Sequence, residues 1–279
     1  MDKVNISKSI LSITSPGTYL KPDDDKLGNQ ITREANHEIA NICCKYPDRF
    51  GFFASLPLPD VEGSLNEIDR ALDTLGASGF AIMTNAYGYY PGDPKLEPVF
   101  AKLNERKAVI FMHPTGCCTP GYAGVPKPLD QYPTPLMEFF FDTTRAVFNL
   151  LLSGTVTRYQ DLTFLVSHCG ATIPPLVERV TAFASVLEQK DSPSSMQVKE
   201  LFRTRFYFDL AGFPFPDLIQ GYLTVGDPGR LLYGSDYPYT PGEITISLSE
   251  RMDEGLPELF EDDVIKRIYS GNAREFLNL

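Results

Sequence analysis

Tryptophan is absent from this chain of 279 residues, and histidine occurs only three times, at His37, His113 and His168. Any imidazole chemistry therefore rests on very few positions. Cysteine is scarce as well: Cys43, Cys44, Cys117, Cys118 and Cys169 are odd in number and partly adjacent. That pattern excludes a disulfide framework and points to a reducing cytosol. Positive charge is in deficit, with a formal net charge of −11 and no basic cluster. This argues against a nucleic-acid backbone or an anionic membrane surface as partner. No apolar run reaches membrane-spanning length, and MDKVNISKSILSIT lacks the apolar core and small-residue cleavage site of a signal peptide. No glycine-rich phosphate fingerprint follows any predicted strand, which weakens a dinucleotide-binding reading. Repeats, low-complexity segments and composition breaks are also missing, so a single domain over residues 1–279 is expected.

What is present is alternation. Apolar runs near residues 9, 51, 80, 108, 162, 206 and 230 read as strands, separated by segments of helical period. Ile31–Tyr46 reads as a helix with Ile31, Ala35, Ile39, Ala40 and Cys43 on one side and His37 on its surface. Asp60 or Ser64 suits the cap of a helix running to Leu75. Leu96–Arg106 and Leu136–Ser153 are further helices, with a long Gly/Pro-rich loop through Pro135 before the second. Seven strands alternating with helices predict an α/β protein, either a (β/α) barrel or a doubly wound sheet.

Three strands end alike, in AVIFMHP, LTFLVSHCG and RLLYGSDYP. Each apolar run delivers a metal-ligating or ionisable group, His113, His168 or Asp236, at its carboxyl end. In α/β barrels those ends build the active site. Two imidazoles and a carboxylate suit a zinc-type divalent ion that leaves a position open to water or substrate.

These endings, in this order, resemble the amidohydrolase superfamily, and most closely its metal-dependent decarboxylase branch. That branch includes aminocarboxymuconate semialdehyde decarboxylase and the resorcylate-type decarboxylases. FASLPLPD, GFAIMTN, TTRAVFNLLLSG, LLYGSDYPYT and GNAREFL extend the likeness over nearly the whole chain, and are most similar to fungal 6-methylsalicylate decarboxylases of polyketide secondary metabolism. The resemblance implies a distorted (β/α)8 barrel of the amidohydrolase type. It implies His113 and Asp236 as metal ligands, and His168 as a catalytic group beside the metal. The implied cofactor is a divalent ion, Zn2+ first and Mn2+ second, with no organic cofactor. The implied reaction is non-oxidative loss of CO2 from an o-hydroxyaryl acid such as 6-methylsalicylate, with His168 or Asp236 supplying the proton. A homodimer is implied too. Asn85, Tyr87, Arg145, Phe213 and Phe215 are candidates to hold the small aromatic acid.

The chain also departs from the family. Relatives begin with a strand ending in His-x-His or Glu-x-His, which supplies two ligands, and this chain has no histidine before His37. The expectation is therefore a barrel lacking its first strand, from an N-terminally truncated chain. Cys117 and Cys118 follow His113, but adjacent residues rarely both reach one ion. Two other readings stay open on the same residues: a metal-dependent hydrolase of an amide, ester or lactone, and an inactive relative.

Overall fold

The computed structural model describes residues 1–116, 131–187, 189 and 192–277. Cys117, Cys118 and most of the predicted Gly/Pro-rich loop lie outside the described residues. The chain divides into two compact units, an N-terminal one over Lys8–Leu162 and a C-terminal one that joins Met1–Ser7 to Thr163–Leu279.

The N-terminal unit runs β1 (Ser9–Leu11), α1 (Asp25–Lys45), β2 (Phe50–Ser55), α2 (Val61–Asp73), β3 (Gly79–Met83), α3 (Glu97–Glu105), β4 (Val109–His113), α4 (Glu138–Leu152) and α5 (Thr155–Arg158). The four strands pair in parallel and in chain order. Parallel sheets bury both faces, and these strands are accordingly apolar throughout. Phe52, Ala54, Phe80, Ile82, Ile110 and Met112 make one face, with no residue more than 3% exposed. Register places Ser55 beside Ala81, Ala81 beside Phe111, and Met83 beside His113 on the other.

The C-terminal unit repeats the theme with β5 (Thr163–Val166), α6 (Val177–Val186), α7 (Ser195–Thr204), β6 (Phe206–Asp209), α8 (Asp217–Leu223), β7 (Leu231–Leu232), α9 (Gly242–Gly255), α10 (Asp262–Lys266) and α11 (Asn272–Leu277). Its strands also pair in parallel. Aromatics fill its core: Phe164 stacks on Phe206 at 4.9 Å between centroids, and Tyr222 lies 4.9 Å from Phe208. Among the described residues no helix is long and apolar enough to cross a membrane.

All seven predicted strands are found near their expected positions, and Asp60 caps α2 by accepting from the Gly63 amide at 3.1 Å. One helix differs from its sequence reading. α1 starts at Asp25, not Ile31, because Asp24 accepts from the Leu27 amide and caps it there. Its buried face is Gly28, Thr32, Asn36, Ile39 and Ala40, so two of the five side chains there are polar. Asn36 explains this. Its Oδ1 accepts from the Ser55 amide at 2.8 Å, while Nδ2 donates to the Ser55 carbonyl and to Glu67 at 3.0 and 2.7 Å. The side chain completes the sheet's hydrogen bonding where β2 ends, and hydrophobic period alone does not reveal such a role. Asn36→Ala leaves these buried partners unsatisfied. The expected loss is about 2 kcal/mol of unfolding free energy, measured by urea denaturation.

Candidate functional site

His113 closes β4 and is 8% exposed. Its Nδ1 lies 2.8 Å from the Pro114 carbonyl oxygen, which only accepts, so Nδ1 carries the proton. Nε2 then presents its lone pair, and the Thr14 hydroxyl lies 3.2 Å from it. This is the tautomer that a backbone carbonyl selects when Nε2 is to act as a base or a ligand.

Behind His113 stands a carboxylate that the sequence reading passed over. Asp142 of α4 has no exposed surface. It accepts from the Thr84 hydroxyl at 2.5 Å, the Asn85 amide at 2.8 Å and the Tyr90 hydroxyl at 2.5 Å. Thr84 in turn accepts from the Thr115 amide at 3.1 Å, and its own amide donates to the His113 carbonyl at 2.9 Å. The segments after β3 and β4 are thus tied to one buried charge. Arg145, one turn along the helix, is half exposed and reaches Asp142 at 3.7 Å.

Two other candidates sit in the same unit. The Asn85 amide is committed to the scaffold: Nδ2 also donates to the Gly116 carbonyl at 3.1 Å, and Oδ1 accepts from the Gly88 amide at 3.1 Å. Tyr87 donates to the Tyr19 carbonyl at 3.1 Å, with the two rings edge to face at 5.9 Å. Both residues line a cavity of about 170 Å³.

In the C-terminal unit, β5 delivers His168 into an unusual turn. His168, Cys169, Gly170 and Ala171 have φ of 56°, 54°, 78° and 52°, all left-handed. A non-glycine residue there costs about 1–2 kcal/mol. The turn is held by Asp209 at the end of β6, whose Oδ1 accepts from the His168 amide at 2.9 Å and from the Ala211 amide at 3.1 Å. The strand ending FYFD carried the same signal as the other three: an apolar run delivering a carboxylate. Asp236 lies in the loop after β7, also left-handed at φ 53°. The chain passes close at position 234, where a Cβ would stand 3.1 Å from Asp209 Cβ and 3.2 Å from Ala211 Cβ, tight contacts that glycine avoids.

His168, Asp209 and Asp236 form one electrostatic group. Burial holds the His168 pKa below its ordinary range, against the pull of Asp236. Burial raises Asp236, with Asp209 adding repulsion and His168 opposing it. Asp209 is pushed up to about 6 by burial, although its two backbone donors work the other way. Burial thus works against charge on both groups, and their mutual attraction works for it. Of the remaining candidates, Phe213 is 60% exposed, while Phe215 packs against α9 so closely that a Cβ at Gly255 would lie 2.6 Å from its ring.

Among the described residues, no group of three or more His, Cys, Asp or Glu is placed to hold a metal ion. His113 has the right tautomer for a ligand, but it belongs to one unit and Asp236 to the other. The described residues do not by themselves make a three-donor site of the kind a catalytic zinc uses.

The amidohydrolase family model matches residues 16–279. A 6-methylsalicylic acid decarboxylase of Penicillium expansum is 31% identical over 284 residues, covering 98% of this chain and 82% of the relative. Decarboxylase yanB of Aspergillus niger is 35% identical over 264 residues, covering 92% and 71%. A crystal structure of an amidohydrolase II superposes with a TM-score of 0.87 at 31% identity, covering all of this chain and 86% of the other.

The Asp209 environment has a consequence for stability. Its folded pKa of about 6 exceeds the unfolded value, so the folded state holds this proton more tightly. The stabilisation is present below the unfolded pKa of about 3.9 and is lost as pH rises through 6, some ~3 kcal/mol in all. Asp209→Asn keeps an oxygen acceptor for both amides. Urea unfolding of the two proteins in EDTA is expected to show this fall between pH 4 and 7 in the parent and a flatter profile in the variant.

Proposed function

This chain belongs to the amidohydrolase family, and from that premise we propose that it is a carboxy-lyase acting on an o-hydroxyaryl carboxylic acid such as 6-methylsalicylate. The observation that carries the reading is the likeness to two fungal decarboxylases over 98% and 92% of the chain, with His168 and Asp236 set just past the ends of parallel strands. Removing CO2 directly from an aromatic ring would leave an aryl carbanion. The easier route protonates the carboxyl-bearing carbon first. The o-hydroxyl group feeds electrons into the ring, Asp236 donates its proton to that carbon, and the ring loses aromaticity. The bond to the carboxylate then breaks, its electron pair restores the aromatic sextet, and CO2 leaves. His168 returns a proton to Asp236 from solvent. A carboxyl group whose pKa burial raises is a better proton donor than one left in water.

The remaining roles belong to the same proposal. A divalent cation, zinc before manganese, is the cofactor; His113, and Asp236 in its deprotonated form, would be its donors from this chain. It would act as a Lewis acid toward the substrate's oxygens. The described residues supply no three-donor set of their own. Asn85 serves by holding the segment at Gly116 in place, and Tyr87 as a wall against the ring. Arg145, half exposed, has reach toward a carboxylate, and Phe213 and Phe215 contribute apolar contact. A cytosolic setting and a homodimeric state complete the reading; the few, odd-numbered cysteines support the first.

Two experiments test it. Asp236→Asn and His168→Ala are each expected to lower kcat for CO2 release from 6-methylsalicylate by about 10²–10⁴. Undiminished release from either variant overturns its role. Dialysis against EDTA should abolish release, with recovery on adding Zn2+ or Mn2+. Full activity after chelation removes the metal from the proposal, and turnover of lactones or esters without CO2 favours a hydrolase.

A further inference from the structure

The cavity of the N-terminal unit lies beside His113, as strand register shows. Ser55, Ala81 and Met83 all line it, and the pairings Ser55–Ala81 and Met83–His113 put those three on the face that carries the imidazole. Thr115, two residues beyond His113, lines it as well and shares a 2.7 Å hydroxyl hydrogen bond with Ser15. The cavity is bounded by the rings of Tyr19 and Tyr87, and among the described residues none that lines it is charged. Such walls suit an apolar ring edge and do not suit a carboxylate. Its size is informative. A cavity of roughly 150 Å³ takes up benzene, so about 170 Å³ has room for one six-membered ring with a small substituent.

We propose that this cavity receives the apolar edge of the substrate's ring, and that Ala81 and Met83 limit its substituent to about the size of a methyl group. The proposal rests on the decarboxylase reading for the identity of the substrate, but it concerns binding and not proton transfer. Ala81 is the tight point. It is 2% exposed on the sheet face, and any larger side chain there enters the space the ring would occupy. Met83 is unbranched and flexible, which lets it close over a methyl group; truncating it lengthens the pocket.

The test uses phenol and m-cresol (the product of 6-methylsalicylate decarboxylation) as binding probes, titrated calorimetrically into the whole chain. The parent is expected to bind m-cresol about 10-fold more tightly than phenol, the lower range for one carbon in a fitted pocket. Ala81→Leu is expected to bring that ratio below 2, and to reduce CO2 release from 6-methylsalicylate more than from salicylate. Met83→Ala is expected to shift preference from m-cresol to 3-propylphenol, and it decides the matter if Ala81→Leu does not fold. A ratio near 1 in the parent, or unchanged preferences in folded variants, overturns the pocket. CO2 release with unchanged preferences overturns the pocket alone. The expected preferences with no CO2 from any aryl acid overturn the decarboxylase reading and leave the pocket standing.

Discussion

A carboxylate withdrawn from water has to be met by donors, and both units of this protein are arranged around that constraint. In the N-terminal unit, Asp142 has no solvent contact and gathers the Thr84 and Tyr90 hydroxyls and the Asn85 amide. In the C-terminal unit, Asp209 takes the backbone amides of His168 and Ala211. Neither group need touch a substrate to matter. Each fixes a segment just past a strand end, where a parallel sheet runs out of its own hydrogen-bond partners. His113 and His168 inherit their positions from these anchors. The left-handed run from His168 to Ala171 is the clearest case, because three non-glycine residues hold an unfavourable conformation there.

The chemistry follows from how burial divides protons among the acids. Asp209 and Asp236 are both raised, and His168 is lowered, so the group resists charge as a whole. A reaction that needs a proton at an electron-rich ring carbon benefits from an acid held in that state. The family's fold supplies strands that end where such groups collect, and the two fungal decarboxylases share about a third of their aligned residues with this chain.

Strand positions were legible because a buried parallel strand is a short apolar run closed by glycine, proline or a polar residue, and each of the seven met that description. The ends at His113, His168 and Asp236 were legible for the same reason. Asp209 was equally visible in FYFD, yet a carboxylate is common enough after a strand that it drew no notice beside the histidines. Asp142 was invisible: in EFFFDTTRAVF it reads as an ordinary polar turn, and only three partners 52 to 58 residues away in sequence reveal its burial. The start of α1 was missed because Asp24 and the polar face through Thr32 and Asn36 interrupt the apolar period. Asn85 reads from sequence as a candidate to hold the aromatic acid, while its amide also serves the backbone at Gly88 and Gly116. Side-chain-to-backbone bonds of this kind leave no periodic trace in a sequence.

The central claim is that this chain releases CO2 from an aryl acid and that a solvent-derived proton takes the carboxylate's place on the ring. The most direct measurement is nuclear magnetic resonance of the phenol formed from 6-methylsalicylate in D2O by this chain. The account predicts m-cresol carrying a single deuterium at the carbon that bore the carboxylate, formed in step with CO2. Unchanged 6-methylsalicylate, with no CO2 and no m-cresol from folded, metal-supplemented protein, would contradict it.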